Sequence, residues 1–232
     1  MLTINWKGID SSTIPGLIIC ELPPISKPKM RTTITKIDGR DGDIVEELGY
    51  ESYTKSISIG LARNYDINQV IKYFTGSGDL ILSNESDKVY KCRIVDKIDY
   101  EKLLRFKTAV VKFYTQPFKY KNNEAKTILN ITSQTSVNVT NAGLEISKPI
   151  IKLTGSGTVG ISVDNVQVFN YTFPGDEPNV IIDSEQEEAY YDGEFKNRNM
   201  AGSFPILQPG QNTISWSGTL TKIEIEPKSR WL

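Results

Sequence analysis

GSFPILQPGQNTISWSG, residues 202–218, decides how the second half of this chain is read. LQPGQN offers Pro, Gly and Asn in turn-forming order. In the strand that follows, Ile214 and Trp216 alternate with Ser215 and Ser217, so one face is apolar and the other polar. A tryptophan is a sugar-stacking platform only if it faces water, and here its phase matches an apolar neighbour, which assigns Trp216 to a core. GSFPILQPG then serves as a crossover. The acidic segment ahead of it, IIDSEQEEAYYDGEF (181–195), reads as an exposed edge strand and loop whose charge discourages strand addition. No exposed aromatic row is read in this half.

Working outward, KPIIKLTGSGTVGISVDNVQVFNYTF (148–173), NVIIDS (179–184) and TLTKIEIEP (219–227) are short apolar runs separated by Gly-Ser, Asp-Asn, PGDEPN and QPGQ turns. That spacing predicts an all-β sandwich over 121–226, with TGSGTVG (154–160) as a hairpin turn. Towards the N-terminus, SISIGL places Ile57, Ile59 and Leu61 on one face, and KVYKCRIV and FKTAVVKFY alternate in the same way. One interruption, DINQVIKYFTGSG (66–78), puts Ile67, Val70, Ile71 and Phe74 at helical spacing behind Asp66 as N-cap and ends at Gly76. QPFKYKNNEAKT (116–127) has the composition of a connector. The fold class is therefore mainly β: a β-rich domain over 1–120 with one short helix, then a β-sandwich.

Composition removes several functions. With no histidine among 232 residues, Ser-His and Cys-His nucleophiles and the usual zinc ligand sets are excluded. Carboxylates remain, but Asp183, Glu185, Glu187, Glu188, Asp192 and Glu194 belong to one run, whereas paired glycosidase carboxylates face each other across a cleft. The run also lacks the spacing of a calcium loop. Neither glycine-rich stretch ends in the lysine and hydroxyl residue of a phosphate loop. No metal, cofactor or catalytic residue is expected. A net charge of −1 gives no bias towards nucleic acid or anionic membrane, and no run is long and apolar enough to cross a bilayer. Synthesis in the cytoplasm is the expectation. Cys20 and Cys92 then read as buried free thiols, with a bridge as the alternative.

The stretch KIDGRDGDIVEELGYESY (36–53) reads as a long, glycine-hinged loop, with an ordinary solvated β-hairpin extension as the alternative. Its mixture of charge and aromatics, Arg40, Asp41, Asp43, Tyr50 and Tyr53, is of the kind found at interfaces.

Taken in order, GRDGDIVEELGYESYTKSISIGL (39–61), FYTQPFKY (113–120), DSEQEEAYYDGEFKNRNMAGSFPILQPGQNTISWSG (183–218) and IEIEPKSRWL (223–232) resemble the distal tail proteins of long-tailed, non-contractile bacteriophages and prophages. The resemblance runs nearly end to end. It implies an N-terminal domain that assembles into a hexameric ring around a channel through which DNA passes without specific binding. It also implies a galectin-like or carbohydrate-module-like sandwich, with Pro227–Leu232 returning to the first domain. The implied partners are further copies of the chain, the tail tube protein, a tail fibre or tail-associated lysin, and receptor-binding or baseplate proteins. The place is the virion tail tip and the role structural, not enzymatic. The alternative from sandwich architecture is a carbohydrate-binding module attaching to the host cell wall.

Overall fold

Period-two alternation governs the first of two units. The computed structural model describes residues 1–175 and 177–232, which divide into residues 1–122 with Leu232, and residues 123–231. The first unit contains β1 (Ile4–Trp6), β2 (Ile9–Asp10), β3 (Leu17–Glu21), β4 (Met30–Thr35), β5 (Ile44–Tyr50) and β6 (Tyr53–Leu61). These are followed by α1 (Ile67–Tyr73), β7 (Ser77–Leu82), β8 (Glu85–Arg93), α2 (Tyr100–Phe106) and β9 (Thr108–Lys121). Its main sheet runs β2-β1-β7-β8-β9-β6-β3, and β4 and β5 pair separately.

The register fixes which side chains go inside. Ile57 lies opposite Val111 and Ile59 opposite Ala109, and all four are buried. Against them Trp6 meets the Phe113 ring edge to face at 5.1 Å, and Phe74 meets it at 6.4 Å. Asp66 caps α1 as expected, accepting hydrogen bonds from the Asn68 and Gln69 amides at 2.9 and 3.3 Å. The helix turns Val70, Tyr73 and Phe74 inward, whereas Ile71, expected on that face, points to solvent. Tyr73 takes its place, with its hydroxyl donating towards the Ile9 carbonyl at 3.1 Å. Burial pushes this phenol up, well above the usual tyrosine range.

Two boundaries differ from the sequence reading. The second helix, α2, was not anticipated; it is capped by Asp99, fully buries only Leu103 and packs Tyr100 beside it, a helical spacing too short to repeat in seven residues. β9 continues through Gln116–Lys121, residues read above as connector, because Pro117 is accommodated in the strand and Lys119 turns inward.

In the second unit β10 (Thr127–Asn130), β11 (Ser136–Asn141), β12 (Ile150–Val163), β13 (Val166–Thr172) and β14 (Asn179–Asp183) precede β15 (Glu188–Tyr191) and β16 (Glu194–Phe195). β17 (Met200–Gly202), β18 (Gly210–Glu226) and β19 (Arg230–Trp231) complete it. The TGSGTVG segment is not a hairpin turn. It lies within β12, which pairs with β18 along most of its length and shifts register at Thr154/Gly155 and Ser156/Gly160. A Cβ on Gly155 would lie 2.3 Å from the Thr219 carbonyl oxygen, and one on Gly218 (φ +87°) 2.3 Å from that of Thr158. Only glycine permits this approach.

Past the shift each strand changes neighbour. β12 pairs with β14 through Ile150–Thr154 and with β13 through Thr158–Val163. β18 pairs with β11 through Gly210–Ser215 and with β10 through Lys222–Ile225. Two layers therefore grow from one continuous strand pair, and their inner faces enclose Ile151, Leu153, Ile161, Phe169, Tyr171, Ile182, Ile214, Trp216, Ile223 and Ile225. Trp216 is 9% exposed, the core position expected of it. The LQPGQN turn is locked by buried Asn212, which accepts from the Gln208 amide and donates to the Gln208 carbonyl, both at 2.8 Å. Of the PGDEPN turn, Asp176 lies outside the described residues. Near the C-terminus Ser229 Oγ accepts from the Ala142 amide at 2.8 Å, and Arg230 Nε donates to the Ile146 carbonyl at 2.6 Å.

Trp216→Ala should destabilise the protein by about 3–5 kcal/mol, as a large core truncation does. Gly218→Ala should cost more than about 1 kcal/mol through its left-handed backbone and the blocked approach. Urea titrations followed by far-ultraviolet circular dichroism measure both.

Candidate assembly surface

β4 and β5 form a ribbon that buries almost nothing of its own. Ile34 pairs with Val45 and Thr35 with Ile44. Ile34 and Val45 are each 56% exposed, and Ile37, Ile44 and Leu48 are exposed as well. A two-stranded hairpin is marginal in water by itself. Within the ribbon Arg31 Nη2 donates to the Leu48 carbonyl at 2.9 Å. The stretch 36–53 is thus the tip and second strand of a hairpin, the alternative reading of it, and its exposed Ile44, Val45 and Leu48 lie outside the residues expected at an interface, which stand out by charge and aromaticity.

Of the five residues expected at an interface, three stand at the ribbon tip. Arg40, Asp41 and Asp43 occupy the exposed turn between β4 and β5, where the Arg40 amide donates to the Ile37 carbonyl at 3.2 Å. Tyr50 and Tyr53 lie instead at its root and are half-buried. Tyr50 stands edge to face with Phe118 at 5.9 Å, while the Lys27 ammonium sits 5.6 Å from its ring centre. The structure therefore brings together the charged trio and separates from it the two aromatics.

Beneath the root is a buried polar cluster that the sequence did not announce. Lys55, on the inward face of β6, is 2% exposed and stacks over Tyr90 at 4.6 Å and Tyr53 at 5.4 Å. Its ammonium donates to the Pro24 carbonyl at 3.3 Å, and Asn84 Nδ2 donates to the adjacent Pro23 carbonyl at the same distance. These bonds tie down the segment that leads into β4. Burial pushes the Lys55 amine below its usual value, although Glu85 opposes the shift. Glu85 itself is taken by Lys119 at 2.7 Å and by the Tyr90 hydroxyl. Burial also pushes the Tyr53 phenol up to about 12 and the Cys92 thiol up to about 11, the latter with Thr115 Oγ1 at 3.3 Å.

The acidic run of the second unit makes no cleft. Asp183 is buried and caps its own turn, accepting from the Glu185 and Gln186 amides at 2.9 and 3.1 Å. Glu185 faces Arg230 at 3.6 Å, and Glu194 meets the buried Lys196 at 2.9 Å, which also holds Glu177 at 2.5 Å. The run is therefore not one exposed edge: β14 is an inner strand of its layer, and the edge is the two-residue β16. Among the described residues no group of three His, Cys, Asp or Glu side chains is placed to hold a metal ion, and no helix is long and apolar enough to cross a membrane.

No protein-family model and no curated protein matches the chain. Among solved structures it is similar to the SPP1 Dit protein, described as a paradigm of the hub adsorption apparatus in phages that infect Gram-positive bacteria. The likeness covers 100% of both chains with a TM-score of 0.72 at 15% identity. The chain has the fold of SPP1 Dit. This is the likeness drawn from the ordered landmarks of the sequence, now seen at the level of fold. A second similarity, to a chain of the phage p2 baseplate in its activated conformation with Sr, covers 97% of each chain at 10% identity and a TM-score of 0.49. The two thiols are not alike. Both are free, but Cys20 is exposed, contrary to the expectation of two buried thiols, because β3 shows it to solvent at its irregular end.

One thiol per native chain should react quickly with Ellman's reagent at about pH 8, and two after unfolding, since a buried, high-pKa thiol is a poor nucleophile. Cys20→Ser should abolish the fast phase and leave the slow one.

Proposed function

We propose that this chain is a structural hub of a phage tail tip, in which six copies close into a ring that joins the tail tube to the baseplate and leaves a channel for DNA. The observation that carries the reading is the correspondence over the full length of both chains with a protein described as part of a hub adsorption apparatus. The ribbon supports it. A surface that exposes Ile34, Val45 and Leu48 is of the kind that marks a protein contact, and a contact between unlike surfaces closes into a ring when its rotation permits. In this reading Arg40, Asp41 and Asp43 meet the neighbouring copy at the tip, and Tyr50 and Tyr53 fix the angle at the root. Pro227–Leu232 completes the ring domain of 1–120, and the sandwich of 121–226 is left to receive tail-fibre, lysin or receptor-binding proteins. The role is structural and needs no chemistry from the chain.

The double substitution Ile34→Lys, Val45→Glu should leave thermal stability within about 0.5 kcal/mol of wild type, because both side chains are exposed and the directly opposed new charges are of opposite sign, and yet prevent ring formation. Multi-angle light scattering and negative-stain microscopy, across concentrations and with the tail tube protein added, read the ring directly. A wild-type chain that stays monomeric throughout, or a variant that still forms rings, would contradict the reading.

A further inference from the structure

The ribbon joins the rest of its unit by two unlike legs. Its return leg is short: β5 ends at Tyr50, and Glu51 and Ser52 alone separate it from β6. The outgoing leg is long, because residues 22–29, between β3 and β4, belong to no strand. Pro23, Pro24 and Pro28 have no N–H to place in a ladder, so at these positions the backbone can be gripped only through its carbonyls, by donors. Leu22 packs against the core and Pro23 and Pro28 are buried, whereas 24–27 are exposed. Apolar contact is non-directional and leaves such a leg free to slide. What fixes its position is the pair of hydrogen bonds from Lys55 to the Pro24 carbonyl and from Asn84 to the Pro23 carbonyl, each at 3.3 Å. Further out the leg is tied to the ribbon's own root, where Lys27 lies over Tyr50 and the Glu51 amide donates to the Lys29 carbonyl at 2.8 Å.

The stronger of the two donors depends on a proton. Around Lys55 stand Tyr53 on β6, Glu85, Tyr90 and Cys92 on β8, and Lys119 on β9. Glu85 is committed to Lys119 and to the Tyr90 hydroxyl, so the Lys55 ammonium rests on two ring faces and one carbonyl. Loss of its proton removes the cation from both rings and leaves a weaker donor at the Pro24 carbonyl. Burial favours that loss for Lys55, while it pushes the Cys92 thiol up to about 11, the Tyr53 phenol up to about 12 and the Tyr90 phenol up as well, so Lys55 gives up its proton before any of these as pH rises. Because its folded value lies below the unfolded one, the folded chain releases this proton first, and the contribution of Lys55 to stability rises with pH between the two values. The grip therefore weakens with no penalty to the fold from the group that supplies it.

We infer that Lys55 is a latch on the ribbon. With its ammonium on the Pro24 carbonyl the outgoing leg is fixed and the ribbon stands at one angle to its sheet; when the grip is lost the ribbon pivots about Glu51 and Ser52. The sheet beneath stays folded, because the pairing of β6 with β9 that holds Ile57, Ile59, Val111 and Phe113 takes nothing from residues 22–29. The latch belongs to the single chain and stands whether or not the ribbon closes a ring.

Spin labels on Asp41→Cys at the ribbon tip and Asp87→Cys on β8, in a full chain carrying Cys20→Ser, report the angle as a distance measured by electron–electron double resonance. The Ile34→Lys, Val45→Glu pair is included to keep the ribbon clear of any neighbouring copy. At about pH 7 the distance should be a single narrow peak. Lys55→Met should lose that peak to a broad distribution without lowering the urea midpoint, since a buried charge exchanged for an apolar side chain of similar length is often neutral to stability or better. Raising the pH to about 10 should broaden the peak of the Lys55 chain and leave that of Lys55→Arg narrow, because a guanidinium keeps its proton. The inference is overturned if Lys55→Met keeps the narrow peak, whatever happens to its urea midpoint, or if alkaline broadening is the same with arginine as with lysine. Should either variant fail to fold, the Lys55 chain decides by itself: a peak that stays narrow up to about pH 10 overturns the latch.

Discussion

Everything in the second unit follows from the close approach of two backbones. β12 and β18 run antiparallel beside each other, and at Gly155 and Gly218 each lets the other's carbonyl come to where a side chain would otherwise be. The register shift at that point lets one strand pair serve two layers, with β14 and β10 on one side of the bend and β13 and β11 on the other. A sandwich built in this way needs no separate strands to join its halves. The inner residues of both layers come from the same two strands, so Ile151 and Ile161 of β12, like Ile225 and Trp216 of β18, reach one core from opposite sides of the bend.

The first unit solves a different problem. Its aromatic core, Trp6, Phe74 and Phe113, is apolar in the ordinary way, but the inward faces of β6 and β9 also carry Lys55 and Lys119. Two buried ammonium groups share Glu85, and the one without direct contact to it is stabilised by two ring faces and a carbonyl. Buried charge is seldom the most stabilising choice for a core. What it gives here is position: the Pro23–Pro24 segment is held by two side-chain bonds before the chain leaves for the ribbon.

Alternation was legible wherever burial was one-sided. β6, the strand of Trp216 and the capped helix α1 are all visible in SISIGL, NTISWSG and DINQVIKYF, since each has a repeating apolar face and a clear start or stop. The failures have physical causes. α2 is seven residues long, so Tyr100, Leu103 and Leu104, which do stand at helical spacing, cannot repeat it. TGSGTVG has the residues of a turn because a bend with close backbone contact needs the same glycines as a hairpin. Lys55 and Lys119 break the alternation of strands that continue through them, and an inward lysine is not distinguishable in sequence from the outward ones. At the ribbon, Arg40, Asp41 and Asp43 drew notice as charge, while Ile34 and Val45, one on each strand, gave no signal until their pairing was known.

That pairing has a consequence for how the chain can change over generations. Ile34 and Val45 touch no core of their own subunit, so substitution there leaves the fold of either unit intact. In the ring proposed above, selection on them would act only through the surface that covers them. Variation along the ribbon would then be free to track that opposing surface, and the residues that vary in step with it would belong to that surface and not to the neighbours it has in its own sequence.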